Sequence, residues 1–312
     1  MTIKFNFYDI YGFALPGFLL LAVLWLPFGL IEGKWPDAEF SSALVGVIIA
    51  YFAGHVLQQV AGNAIPSDFL GGRHASSVFL DEKDSTFSKE FKNRLRLQIL
   101  STFQLDVSNE GERRDAFFLC RSALIKSKTV VYAEQFEGLY ALMRGLCAAF
   151  GIAVVYYFGW AYSGELHRLV PSALGTWQFS GVIVLVGLVL ASFALVAADR
   201  FTASKKASQK DDERTKYEKW TKYAKRLMIW SLFVAVFAAG YYLGLSSVDV
   251  SKHRGLLIAA AVLSFFGSER CYAGYKSFAQ EFAKAVYRDF SNYDKPGEEP
   301  KPNPSLETEE DT

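Results

Sequence analysis

Residues 41–60 read SSALVGVIIAYFAGHVLQQV, twenty positions without an Asp, Glu, Lys or Arg. About 20 such residues in a helix cross a bilayer core of roughly 30 Å, so this stretch predicts a membrane span. Residues 13–31, 145–161 and 177–198 are long enough to do the same, and two shorter stretches, 227–245 and 255–267, bring the expected number to six. The last spans only if its helix continues through Ser268 to Tyr275. The expected fold is all-α, a polytopic transmembrane bundle of about six spans with a helical cytoplasmic insertion.

Between these stretches the charges crowd. The 312 residues are 51% hydrophobic and 16% aromatic, yet carry 33 Lys and Arg against 32 Asp and Glu. That combination excludes a single soluble globule, a disordered chain and a disulfide scaffold. Positively charged loops stay on the cytoplasmic side. Lys4, eleven basic residues in 61–138, ten in 199–226 and six in 268–312 fall on one side of six spans, whereas only Lys34, Arg168, Lys252 and Arg254 fall on the other. This asymmetry predicts an inner-membrane protein with both termini in the cytoplasm, and a lipid bilayer as its first partner.

The chain then divides into 1–60, the first two spans; 61–138, the cytoplasmic insertion; 139–198, spans three and four; and 199–226, a basic juxtamembrane helix. After these come 227–275, spans five and six; 276–294, an amphipathic helix; and 295–312, a disordered acidic tail. Phe278, Phe282, Val286 and Phe290 recur at helical spacing and predict packing on the insertion or on a second subunit. From about Tyr132 the apolar pattern runs without a break into the third span. The first span holds Pro16 and Pro27, each of which removes a helix hydrogen bond and is tolerated where neighbours satisfy the freed carbonyl.

Within the membrane, Gly46, Ala50 and Gly54 recur every fourth residue, the spacing that lets helices approach closely and supports a homo-oligomer. His55, Gln58 and Gln59 follow, and polar groups at this depth need partners. They read either as the lining of a pore or gate or as an interhelical hydrogen bond near the cytoplasmic end. Arg144, at the edge of the third span, either snorkels to lipid phosphates or pairs with Glu137 or Glu269; Glu269 and Arg270 read as a gating pair or as surface charges. In the insertion, Arg73 beside Gly71 and Gly72, with Arg113, Arg114 and Arg121, are candidates for binding a cytoplasmic anion.

Catalytic patterns are missing from the sequence. His55, His74, His167 and His253 show no metal-ligand spacing, and neither GxSxG, a P-loop nor GxGxxG occurs. No cofactor, metal or enzymatic activity is expected.

Tyr8-Asp9-Ile10-Tyr11-Gly12-Phe13, Leu15-Pro16-Gly17 and Gly54-His55 resemble a group of poorly characterised bacterial multi-span inner-membrane proteins. So do Phe118-Leu119-Cys120-Arg121, Glu134-Gln135-Phe136-Glu137 with Tyr140 and Arg144, and Val286-Tyr287-Arg288-Asp289-Phe290. Some proteins of this type accompany nucleotide-processing partners in antiphage defence, with the membrane component as effector. The resemblance implies such a role and carries over no catalytic residue. The expected function is an oligomeric ligand-regulated channel or membrane-disrupting effector, triggered by a cytoplasmic nucleotide, nucleic acid or protein. A solute transporter or an accessory subunit is the alternative, and would more typically show midplane charges or inverted repeats.

Overall fold

A computed structural model of the chain describes residues 8–36, 40–66, 74–127, 131–169, 229–245 and 250–293. The expected span 177–198, the basic helix 199–226, the tail 295–312 and the turn Gly71–Arg73 lie outside the described residues. Among the described residues there is helix and no strand. The chain divides into two compact units, Met1–Phe69 with Gln135–Ala279, and Leu70–Glu134 with Gln280–Thr312.

In the first unit a π-helical turn, Asp9–Ala14, leads into α1, Leu15–Glu32. Pro27 lies inside α1, and the helix stops at Gly33, whose φ of 67° is the left-handed conformation that ends helices. The next helix, α2, covers Phe40–Ala64. Helix α6, Val131–Leu169, is one unbroken 39-residue helix, and α8, Val250–Ser291, is another of 42 residues. Between them lies a shorter apolar helix, α7, Ile229–Leu245. The weak segment 255–267 therefore belongs to a helix that continues well past Tyr275. Among the described residues, four helices are long and apolar enough to cross a membrane: Asp9–Glu32, Ala43–Ala64, Ala133–Ser163 and Val250–Ser291.

Small residues decide how these helices meet. At the α1–α2 crossing, a Cβ on Gly17 would collide with the carbonyl oxygen of Ala50, and one on Gly54 with that of Phe13. Backbone lies on backbone there, and only glycine fits. A Cβ on Gly46, by contrast, would meet nothing within 4 Å. At the α6–α7 contact a Cβ on Gly240 would collide with the carbonyl of Tyr156, and one turn on a Cβ on Gly244 would come within 2.6 Å of Ser163 Oγ. The core of this unit gathers on α6, where Ala153, Tyr156, Tyr157 and Trp160 pack with Val23 of α1 and Leu257 and Ala261 of α8.

The second unit comprises α3, Ala75–Val78; α4, Lys89–Phe103; α5, Glu110–Ser127; and the last turns of α8. Its helices start on polar caps. His74 Nδ1 accepts from Ser76 N–H at 3.2 Å, Ser88 Oγ accepts from Phe91 N–H at 3.2 Å, and Asn109 and Glu112 bond reciprocally in a capping box. Its buried apolar residues include Leu80, Leu95, Ile99, Phe117, Cys120 and Leu124, with Val286, Tyr287 and Phe290 of α8. Phe117 meets the ring of Phe282 edge-on at 5.7 Å, Phe103 stacks on Phe290 at 5.5 Å, and Gln98 Nε2 donates to the carbonyls of Phe290 and Tyr293 at 2.9 and 3.1 Å. The apolar face formed by residues 282, 286 and 290 is thus covered by the insertion of the same chain.

Two consequences are measurable. Gly54→Val forces a methyl into a backbone oxygen and costs about 3 kcal/mol or more, whereas Gly46→Val leaves the thermal midpoint in detergent unchanged; circular dichroism melts of the two variants check this. Burial pushes the Cys120 thiol pKa up, so the reactive thiolate is suppressed. A C147S/C271S variant is therefore expected to resist maleimide at neutral pH until it is denatured.

Candidate functional site

The two prolines of α1 create the chemistry of the candidate site. Pro16 stands where the π-helical register, in which Leu15 N–H reaches Ile10 O, gives way to α1, and it brings no N–H to the preceding turn that holds Gly12; Pro27 leaves the carbonyl of Val23 without its α-helical donor. Other helices supply both missing donors. Gln58 Nε2, from α2, donates to Gly12 O at 2.7 Å, and Tyr157 Oη, from α6, donates to Val23 O at 3.1 Å. Tyr156 Oη donates to the adjacent Leu24 O at 3.2 Å.

Gln58 does more than cap Gly12. Its second amide hydrogen goes to Ala141 O of α6 at 2.7 Å, and its Oε1 accepts from Arg144 Nε at 3.0 Å. The side chain is only 5% exposed and joins α1, α2 and α6 through three hydrogen bonds. Gly145 leaves the space that this requires, because a Cβ there would come within 2.7 Å of both Gln58 Nε2 and Pro16 Cβ. Arg144 Nη1 also donates to Tyr140 Oη at 3.3 Å, and its guanidinium lies 5.3 Å from the Tyr140 ring centroid.

Behind Tyr140 runs an aromatic ladder. Tyr140 stacks on Tyr275 of α8 at 5.5 Å and 29°, and Tyr275 on Tyr272 at 6.2 Å and 25°. The Lys276 ammonium then sits 4.7 Å above Tyr272. A cation thus closes each end of a three-tyrosine stack.

The other expected residues separate. His55 stacks on Phe13 at 3.7 Å and meets the edge of Tyr51 at 4.7 Å, and no hydrogen bond joins it to Gln58 or Gln59. Gln59 is exposed, and its backbone carbonyl accepts from Asn63. Ala50 and Gly54 lie in the α1–α2 crossing, while Gly46 lies outside it. Glu137 is half-buried one turn before Tyr140, and Glu269 and Arg270 are exposed on α8. Arg144 has no ion-pair partner among the described residues, so neither Glu137 nor Glu269 pairs with it.

In the second unit Arg113 is structural as well as charged. It donates to the carbonyls of Ser77 and Ser108 at 3.1 and 2.9 Å and to Asp81 Oδ2 at 3.3 Å. Arg114 lies 6.0 Å from the centroid of Phe118, Arg121 is half-buried on α5, and Arg73 lies outside the described residues. Beside Arg113 opens a cavity of about 400 Å³, lined by Asp81, Glu82, Lys83, Arg96, Asp106, Val107, Ser108 and Arg113. Arg96 pairs with Glu82 at 3.2 Å and donates to Leu80 O at 2.8 Å, and Ser108 Oγ donates to Asp106. The volume suits a small ligand, and the lining offers both signs of charge.

Comparison with known proteins found no match among family models, curated proteins or solved structures. What stands is chemical: apolar helices compatible with a membrane protein, a hydrogen-bonded junction at Gln58, and a charged cavity in the other unit.

Sequence reasoning found Gln58 and Arg144 but missed their partners. The pairing of Pro16 with Gly12 was available by counting four residues back. The Tyr272, Tyr275 and Lys276 contribution was not, since three residues of an interfacial helix carry no mark of what stacks on them. Lys83, Arg96 and Asp106 were missed because they line the cavity from separate loops and a helix.

The proline account is open to a double-mutant cycle. Gln58→Ala strands the Gly12 carbonyl, removes the second donor to Ala141 O and leaves Arg144 Nε without its acceptor, which destabilises the protein by about 1–3 kcal/mol. In a Pro16→Ala background the new N–H satisfies Gly12, and the penalty of Gln58→Ala shrinks by about 1 kcal/mol. Chemical denaturation of the four proteins in detergent measures the coupling, and equal penalties in both backgrounds would refute the shared carbonyl.

Proposed function

We propose that the protein is a bacterial inner-membrane protein with both termini cytoplasmic, acting as an oligomeric ligand-regulated channel or membrane-disrupting effector. Its second unit is the cytoplasmic sensing module. The observation that carries this reading is the charged cavity of about 400 Å³ in a unit separate from the apolar bundle. A recognition site for a small charged ligand and a set of apolar helices occur in one chain, and α6 and α8 each contribute residues to both units. The basic count on alternate loops supports the orientation. No catalytic step is part of the proposal, and the motif resemblance extends it to an effector role in antiphage defence.

A solute transporter or accessory subunit is the second reading. It is favoured by Arg144, a cation on a candidate span with no carboxylate partner among the described residues, which suits an anionic solute.

Reconstitution separates the two. Full-length protein in dye-loaded liposomes is expected to release dye when nucleoside 5′-phosphates are added, and Lys83→Glu, which reverses one charge of the cavity, is expected to abolish the response without changing the melt. Absence of flux with every ligand, together with a monomer in detergent, sinks the channel. Uptake of labelled anions without dye release supports the transporter.

A further inference from the structure

Arg144 carries a fixed positive charge. A guanidinium cannot shed its proton in a protein and presents five N–H donors. Here one goes to Gln58 and one to Tyr140, which leaves three. Among the described residues no carboxylate pairs with it. A cation held at a bilayer boundary without a counter-charge is costly, and the ordinary remedy is an anion from the lipid or the solvent.

The group is held in place. Gln58 cannot turn away from it while its amide is bonded to Gly12 and Ala141, and the face of Tyr140, backed by the 3% exposed Tyr275, fixes the guanidinium plane. Next to Nη1 is Gly62, an exposed position of α2 where a Cβ would be 3.9 Å away. The glycine leaves the approach to the guanidinium edge open. Fixed orientation, free donors in a fork and an open approach are what a phosphate oxygen pair recognises.

We propose that Arg144, oriented by Gln58 and Tyr140 and reached past Gly62, binds a phosphate group. The phosphate of an anionic phospholipid headgroup and a free phosphate anion share this chemistry. The inference rests on the membrane reading alone and is independent of channel activity.

Native mass spectrometry of the full-length protein, released from micelles containing phosphatidylglycerol, tests it together with melts in about 10 mM inorganic phosphate. Wild-type protein is expected to retain phosphatidylglycerol, and Arg144→Gln to lose the retention about tenfold. Arg144→Lys falls between, because a point charge replaces a fork. Gly62→Leu blocks the approach while leaving the Gln58 bonds in place, so it reports on the site even if Arg144→Gln misfolds. Retention of lipid that these variants weaken assigns the site to a headgroup. A phosphate-dependent rise in melting temperature that they abolish, without lipid retention, assigns it to a free anion. If Arg144→Lys and Gly62→Leu change neither readout, the proposal is wrong.

Discussion

Two backbone carbonyls govern how the apolar helices assemble. A carbonyl that loses its helical donor in hydrocarbon has no water to turn to, so a proline inside a span requires a donor from elsewhere. Pro16 and Pro27 create this demand three turns apart on α1, and α2 and α6 answer it with Gln58 and Tyr157. The glycine contacts follow from the same demand. An amide side chain reaches Gly12 only if α2 lies directly on α1, and α2 lies there only because Gly17 and Gly54 have no side chains to hold the backbones apart. The prolines thus select the partners and the glycines permit the distance.

The second unit solves the same accounting problem by other means. Its helices begin with His74, Ser88 and the Asn109–Glu112 box, local side chains that satisfy the N–H groups of their own first turns. Such caps work beside water, where the remaining groups are solvated. Lys92, at 4% exposure a deeply buried ammonium, donates to the carbonyls of Asp81 and Asp84, with the Asp84 carboxylate at 4.0 Å. In the first unit other helices answer the carbonyls that proline leaves open, and in the second local side chains start the helices while Gln98 caps the end of α8.

That division explains what was legible in the sequence. Apolar runs at 41–60 and 13–31 read directly, because length and charge exclusion act on single residues. The unbroken register from Tyr132 onward also read directly, and α6 begins at Val131. The end of α8 was obscured by Glu269 and Arg270, which look like a terminus but sit exposed on a helix that continues to Ser291. Gly46, Ala50 and Gly54 were equivalent by spacing. Only the partner distinguishes them, since close approach needs a small residue opposite, and Gly17 supplies it at one end of the row. The site followed the same rule. Gln58 and Arg144 were visible as polar residues in apolar surroundings, but their bonds depend on which helices are neighbours, which no local pattern encodes.

The bonding of Gln58 also limits how any gate can work. Moving this side chain strands the carbonyl of Gly12 and frees Arg144 Nε, at about 1–3 kcal/mol for each group left unpaired. A ligand that carries a two-state equilibrium from one extreme to the other supplies about 5.5 kcal/mol. Breaking the junction would consume most of that free energy. A regulated opening is therefore cheapest where helices touch through contacts that strand no polar group when they slide. On these energetics the α1–α2–α6 junction is the fixed frame of the apolar unit.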